Sequence, residues 1–119
     1  MKVSEYRNII RSKYGAHKTE LDGITFDSKK EAKRYALLKQ LERFGMISDL
    51  RRQVPFELQP GYTNNQGKKI RAITYVADFV YVENGKQTVE DTKGFKTKEY
   101  QIKRKLFEYK YPEYIFVES

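Results

Sequence analysis

Residues 70–93 read IRAITYVADFVYVENGKQTVEDTK, and this stretch decides the fold. Its first part, residues 70–82, is rich in Ile, Val, Tyr and Phe, the residue types that fit a pleated, half-buried surface. Asn84-Gly85 follows, the dipeptide that most favours a two-residue hairpin turn, and residues 86–93 then read as the returning strand. A two-residue turn pairs Glu83 with Lys86 and sets Asp78 directly opposite Asp91. In strict alternation Asp78 shares a face with Val76 and Val80, and Asp91 shares that face with Val89 and Lys93. Two carboxylates are thereby expected side by side on a core-facing surface, where like charges destabilise a sheet. A divalent cation relieves such a pair, because hard cations take carboxylate oxygens. The other reading is an edge hairpin whose acids face water.

Outward from the hairpin, Ser28-Lys29-Lys30-Glu31 is a capping-box pattern opening a helix that runs to about Phe44 and closes at Gly45. Glu31 is its fourth residue and has two readings. It caps the helix through the Ser28 amide, or it points at the sheet from the rim of an apolar sector containing Tyr35 and Leu38. Asp22-Gly23 marks a small hairpin within residues 13–27, and Val3, Tyr6, Ile9 and Ile10 have the spacing of a short amphipathic helix over residues 4–12. Residues 49–58 read as a strand broken by Pro55, and residues 63–67 as a loop. Residues 97–110 read as a helix with Thr97 as N-cap, and residues 114–118 as a last strand. The expected architecture is one α+β sandwich domain over residues 1–119, residues 1–12 forming a helical extension, with a mixed central sheet in αβββαβ order.

Composition narrows the function. The chain has 119 residues, which fits one domain and buries about two-thirds of its unfolded surface without a covalent staple. It has no cysteine, so zinc knuckles, thiol nucleophiles and disulfide frameworks are excluded. His17 is the single histidine, which excludes nuclease motifs that need two or more. Neither a phosphate-cradling glycine loop nor a Gly-x-Ser-x-Gly elbow is present. No apolar run reaches transmembrane length and the first residues lack a signal-peptide core, so a cytoplasmic protein without membrane contact is expected. The net charge is +8. Residues 51–71 carry five Lys/Arg against one acid and residues 94–111 carry six against two, while residues 72–93 carry four acids and two lysines. Basic segments flanking an acidic island suit a phosphate backbone around a metal site.

With these residues in place the chain resembles the PD-(D/E)XK nuclease superfamily: Glu31 on a first helix, Asp78 on a strand, and Asp91-Thr92-Lys93 on its hairpin partner. The segments FDSKKEAKRY (26–35), ITYVADFVY (73–81) and VEDTKGFKTKEYQIKRKLFEYKYP (89–112) also resemble a family of small phage and prophage proteins, over about residues 13–117. Ala77 stands where the superfamily often has a proline. The resemblance implies a restriction-endonuclease-like core and a Mg²⁺-dependent DNA endonuclease, with Mn²⁺ able to substitute. Asp78, Asp91 and the Thr92 carbonyl would bind the metal, with Glu31 a direct or water-mediated ligand and Lys93 orienting or deprotonating the attacking water. Arg71, Lys96, Lys98, Lys103, Arg104 and Lys105 are candidate DNA contacts, and Gln53 a candidate site-lining residue. A lysine snorkelling off the core face is the alternative for Lys103, and a solvated face for Arg104 and Lys105. The resemblance leaves open a homodimer, a preference for junctions or flaps, and phage replication or recombination partners. The rival functions are a nucleic-acid-binding module that does not cut and a phage interaction subunit.

Overall fold

The computed structural model describes residues 19–92 and 96–119. The expected helix over residues 4–12, His17 and Lys93 lie outside the described residues. The chain forms two compact units that divide after Gly45, each described by itself. The described residues make a mixed α and β protein with two helices and a mixed multi-stranded sheet. Among the described residues no helix is long and apolar enough to cross a membrane.

In the first unit β1 (Thr19–Leu21) and β2 (Ile24–Phe26) pair antiparallel, Leu21 opposite Ile24. Asp22 and Gly23 turn the chain with φ of 54° and 76°, the left-handed pair that matches strand twist. The helix α1 (Lys29–Arg43) begins at Ser28, whose hydroxyl accepts from the Glu31 amide at 3.1 Å. One orphan amide of the first turn is thereby satisfied. Phe26 packs against Tyr35 with ring centroids 5.1 Å apart.

The second unit is built on four strands in the order β3 (Ser48–Gln59), β6 (Ile73–Glu83), β7 (Lys86–Asp91) and β8 (Ile115–Glu118). The first two pairings are antiparallel and the last is parallel, with helix α2 (Lys98–Lys110) connecting β7 to β8. Pro55 does not break β3, contrary to expectation. It pairs with Val76 on an edge strand, where a missing N–H is tolerated. The expected loop at residues 63–67 joins a further short hairpin, β4 (Tyr62–Thr63) with β5 (Lys69–Ile70), and the central strand starts at Ile73 instead of residue 70. The Asn64 side chain organises its turn, accepting from the Gln66 and Lys68 amides at 3.0 Å each.

One core holds this unit together. Phe107 of α2 is fully buried, and its ring centroid lies 4.9–5.8 Å from those of Phe56, Tyr75, Tyr111, Tyr114 and Phe116. Ala77, Val80 and Val89 complete the contact from the sheet. The Tyr111 hydroxyl donates to the Glu57 carbonyl at 2.8 Å and fastens the end of α2 to the edge strand. Phe107→Ala is therefore expected to destabilise the protein by about 3–5 kcal/mol through the cavity it leaves. Tyr109→Ala on the same helix, at a position 89% exposed, should change stability by no more than about 0.5 kcal/mol. Urea denaturation of both variants checks this, and equal losses would contradict the assignment of the helix faces.

Candidate functional site

The β6–β7 ladder runs from Glu83↔Lys86 to Phe79↔Glu90, so the turn and register follow the Asn84-Gly85 reading. Asn84 and Gly85 take φ of 52° and 75°. The pairs keep the expected offset as far as Phe79↔Glu90, one pair short of Asp78 and Asp91. Asp78 is bound to the residue after Asp91: its Oδ2 accepts from the Thr92 amide at 2.9 Å and from the Thr92 hydroxyl at 2.8 Å. Direct opposition of two carboxylates is unfavourable. The two donors of Thr92 stabilise the Asp78 charge beside Asp91.

The expected alternation fails at this point. Val76 is 44% exposed while Val80 is fully buried, so the two do not share one buried face with Asp78. Tyr75 and Ala77 join the aromatic core, and Val80 joins it three residues later, so the pleat slips between 77 and 80. The neighbouring strand keeps one offset through this level and carries a left-handed residue there. Its register includes Arg52↔Phe79 and Val54↔Ala77 but no Gln53/Asp78 pair, and Gln53 has φ of 50°. A left-handed residue within a strand kinks it and re-aims its side chain. Gln53 Nε2 lies 3.4 Å from Asp78 Oδ1, a long contact from an exposed amide.

Asp91 is fully buried and Asp78 is 8% exposed. The Tyr75 hydroxyl donates to Asp91 Oδ2 at 2.6 Å. Burial and the bond to Asp91 both push the Tyr75 phenol far above its ordinary range, so it remains a neutral donor. Glu90, on the alternate face, is also fully buried and accepts from the Tyr81 hydroxyl at 2.7 Å. Neither tyrosine is marked by spacing in the sequence, because each sits where any core aromatic would. Beyond Asp91, in parallel register, stands Glu118. Its Oε2 accepts from the Tyr100 hydroxyl at 2.8 Å, and its Oε1 is met by Lys96 Nζ at 3.1 Å and by the Arg104 guanidinium. Burial pushes the Glu118 carboxyl up, but the bonds from Tyr100, Lys96 and Arg104 outweigh it and hold it below the usual range.

The candidate residues therefore divide. Asp78, Thr92 and Gln53 are in contact with one another, and Asp91 adjoins them through the chain. Glu31 is buried in the first unit, its amide bound to the Ser28 hydroxyl. Lys96 and Arg104 are engaged by Glu118, Arg104 also by Glu108 at 2.8 Å, and Lys103 by Glu99 at 3.2 Å. Arg71, Lys98 and Lys105 are exposed. A pocket of about 380 Å³ is bounded by Tyr75, Tyr100, Thr97 and Lys103, and neither Asp78 nor Asp91 lines it.

The donor set fits a hard divalent cation. It offers two buried carboxylates and the Thr92 backbone with no soft ligand, and Mg²⁺ takes one or two carboxylates while keeping much of its water. Among the described residues no three His, Cys, Asp or Glu side chains gather as a complete metal cage.

The chain belongs to the family described as "Protein of unknown function (DUF1064)", whose model matches residues 11–117. No curated protein and no solved structure matches it.

Two outcomes follow from the bonds. Tyr75→Phe keeps the ring but removes a donor from a buried carboxylate, and should destabilise by about 1–3 kcal/mol in denaturant titration. Glu118 has a depressed folded pKa, so its stabilisation is present above the unfolded carboxylate value of about 4.3. It is lost as pH falls through the lower folded value. Melting temperature measured from pH 6 down to pH 3 should fall less steeply in Glu118→Gln than in the wild type.

Proposed function

We propose that this DUF1064 chain is a divalent-metal-dependent DNA nuclease on a restriction-endonuclease-like core. The observation that carries the reading is the burial of Asp78 and Asp91 at the end of the central hairpin of a chain of net charge +8. Charge is expensive to bury, and carboxylates are retained in such places when they are paired or coordinate a metal. Supporting it are the element order α1, β3, β6, β7, α2, β8 and the resemblance of Asp78 and Asp91-Thr92-Lys93 to the PD-(D/E)XK motif.

Asp78, Asp91 and the Thr92 carbonyl would hold Mg²⁺ or Mn²⁺. When bound, such an ion lowers the pKa of a water and stabilises charge on the scissile phosphate. The chain's own groups prepare that chemistry. Thr92 fixes the Asp78 carboxylate through two bonds, and Tyr75 fixes Asp91 as a donor that stays protonated. Lys93, two residues after Asp91, is assigned the water-orienting role on its sequence position. Arg71, Lys98 and Lys105, exposed and of one sign, would attract the DNA backbone by releasing its counterions. Lys96 and Arg104 serve Glu118 first and contribute less to phosphate binding.

The test is incubation with Mg²⁺ or Mn²⁺ and a panel of duplex, flap, single-stranded and four-way-junction DNAs, with EDTA as control. Cleavage should leave 5′-phosphate and 3′-hydroxyl ends, stop in EDTA, and fall by several orders of magnitude in Asp78→Asn and Asp91→Asn. Lys93→Ala should cut about 10²–10⁴-fold more slowly while binding DNA as the wild type does. Neutralising Arg71 and Lys98 should weaken binding and lower its salt slope. Mg²⁺ should also raise the wild-type melting temperature, and the Asp78→Asn variant should lose most of that response. Binding without cleavage across the panel, with no metal response, would replace the nuclease with a non-catalytic module.

A further inference from the structure

Helix α2 has a second apolar face that its own core does not use. The inward face carries Tyr100 and Phe107, both buried. Ile102, Leu106 and Tyr109, spaced by four and three residues, line another side of the helix. They are 59%, 42% and 89% exposed. Ile73, at the start of β6, is 37% exposed and joins Ile102 and Leu106 in lining a groove of about 540 Å³. Contiguous exposed aliphatic surface on a soluble domain marks an interaction site.

The charges around the stripe narrow its occupant. On one flank the helix presents Lys98 and Lys105, both exposed. On the other it presents Lys110, exposed, and Lys103, whose ammonium is held by Glu99 at 3.2 Å. The Glu99 side chain is 77% exposed, so this ion pair is weak and open to exchange. A second copy of the chain would bring its own lysines against these and pay for their repulsion. A nucleic-acid backbone would answer the lysines but leave the aliphatic floor unmatched. An amphipathic helix with an apolar seam and acidic flanks satisfies both, since helix-in-groove recognition reads apolar anchors one turn apart. Complementary charge around the seam sets orientation and speeds encounter.

We infer that the outer face of α2, with Ile73, is a docking surface for an acidic amphipathic helix of a partner protein. The inference involves neither metal nor Asp78 and Asp91, and it shares only Lys98 and Lys105 with the nuclease reading.

The experiment uses the full chain in EDTA and a fluorescein-labelled designed helical peptide with leucines at positions i, i+4 and i+7 and glutamates beside them. Fluorescence anisotropy should report saturable binding. A peptide of the same composition with the leucines scattered should bind at least tenfold more weakly. Ile102→Ser with Leu106→Ser, at exposed positions, should lose at least tenfold in affinity while the melting temperature is retained. The double variant Lys105→Glu, Lys110→Glu should reject the acidic peptide and accept its lysine-flanked counterpart. Equal binding of the scattered peptide, or no effect of either variant, overturns the inference. Two other outcomes also overturn it. One is concentration-dependent dimerisation, seen by light scattering and abolished by Ile102→Ser, which would assign the face to a second copy. The other is displacement of the peptide by single-stranded DNA but not by excess unlabelled peptide, which would assign it to nucleic acid.

Discussion

A carboxylate withdrawn from water must be met by donors or by a cation, and the central hairpin imposes that requirement three times in fourteen residues. Asp78, Glu90 and Asp91 are all buried, and each is answered locally: Asp78 by Thr92, Glu90 by Tyr81, Asp91 by Tyr75. The hydroxyls of Tyr75, Tyr81 and Thr92 are among these donors, with the Thr92 amide and, at 3.4 Å, the Gln53 side-chain amide. Tyrosine suits this task because its ring is core material and its tip is a hydrogen-bond donor. Tyr75 contacts Phe107 and Phe116 with its ring while its hydroxyl reaches Asp91, so the aromatic core and the polar site share one side chain. Core packing therefore fixes where the carboxylate can be.

The kink at Gln53 and Asp78 belongs to the same constraint. The paired irregularity lets the register on either side persist, 52 with 79 and 54 with 77, while the pleat changes phase between them. Asp78 is thereby delivered to Thr92 at the point where β7 ends. Left-handed backbone at a non-glycine residue such as Gln53 is unfavourable by itself and persists only where its surroundings enforce it. Here the enforcement comes from continuous pairing on both sides.

This explains what the sequence makes legible. The turns at 22–23 and 84–85, the caps at Ser28 and Thr97 and the two helices are local, written in residues whose backbone preferences need no partner. The identity of Asp78 and Asp91 as an acidic island is equally local, because charge is visible in composition. Their mutual geometry is not. It depends on a left-handed residue in one strand and a phase slip in its neighbour, twenty-five residues apart, for which an ordinary glutamine carries no signal. Pro55 misleads for a related reason: whether a proline ends a strand depends on which side of it is paired, and that is a property of the sheet. The short β4–β5 hairpin escapes notice because its strands are two residues each and Asn64 holds the turn with its side chain.

The basic charge of the chain is also less uniform in purpose than its sum suggests. Lys96 and Arg104 converge on Glu118, and Arg104 lies over the Phe116 ring at 4.6 Å. Glu118 sits on β8 in register with Asp91 on β7, so these cations fasten the first turns of α2 to the strand beside the buried acid. A guanidinium fits this position because it can bridge Glu108 and Glu118 while its plane covers an aromatic face. Such cations are drawn inward by the architecture that holds Asp91, and the field felt by a distant polyanion rests more heavily on exposed residues such as Arg71, Lys98 and Lys105. Helix α2 is thus partitioned around its axis. One side is committed to the aromatic core, one side braces the strand beside the acid, and the remaining arc carries apolar groups between flanking lysines. A helix with only a structural task would carry polar residues on that arc, and its aliphatic character is the feature on which the proposed partner contact rests.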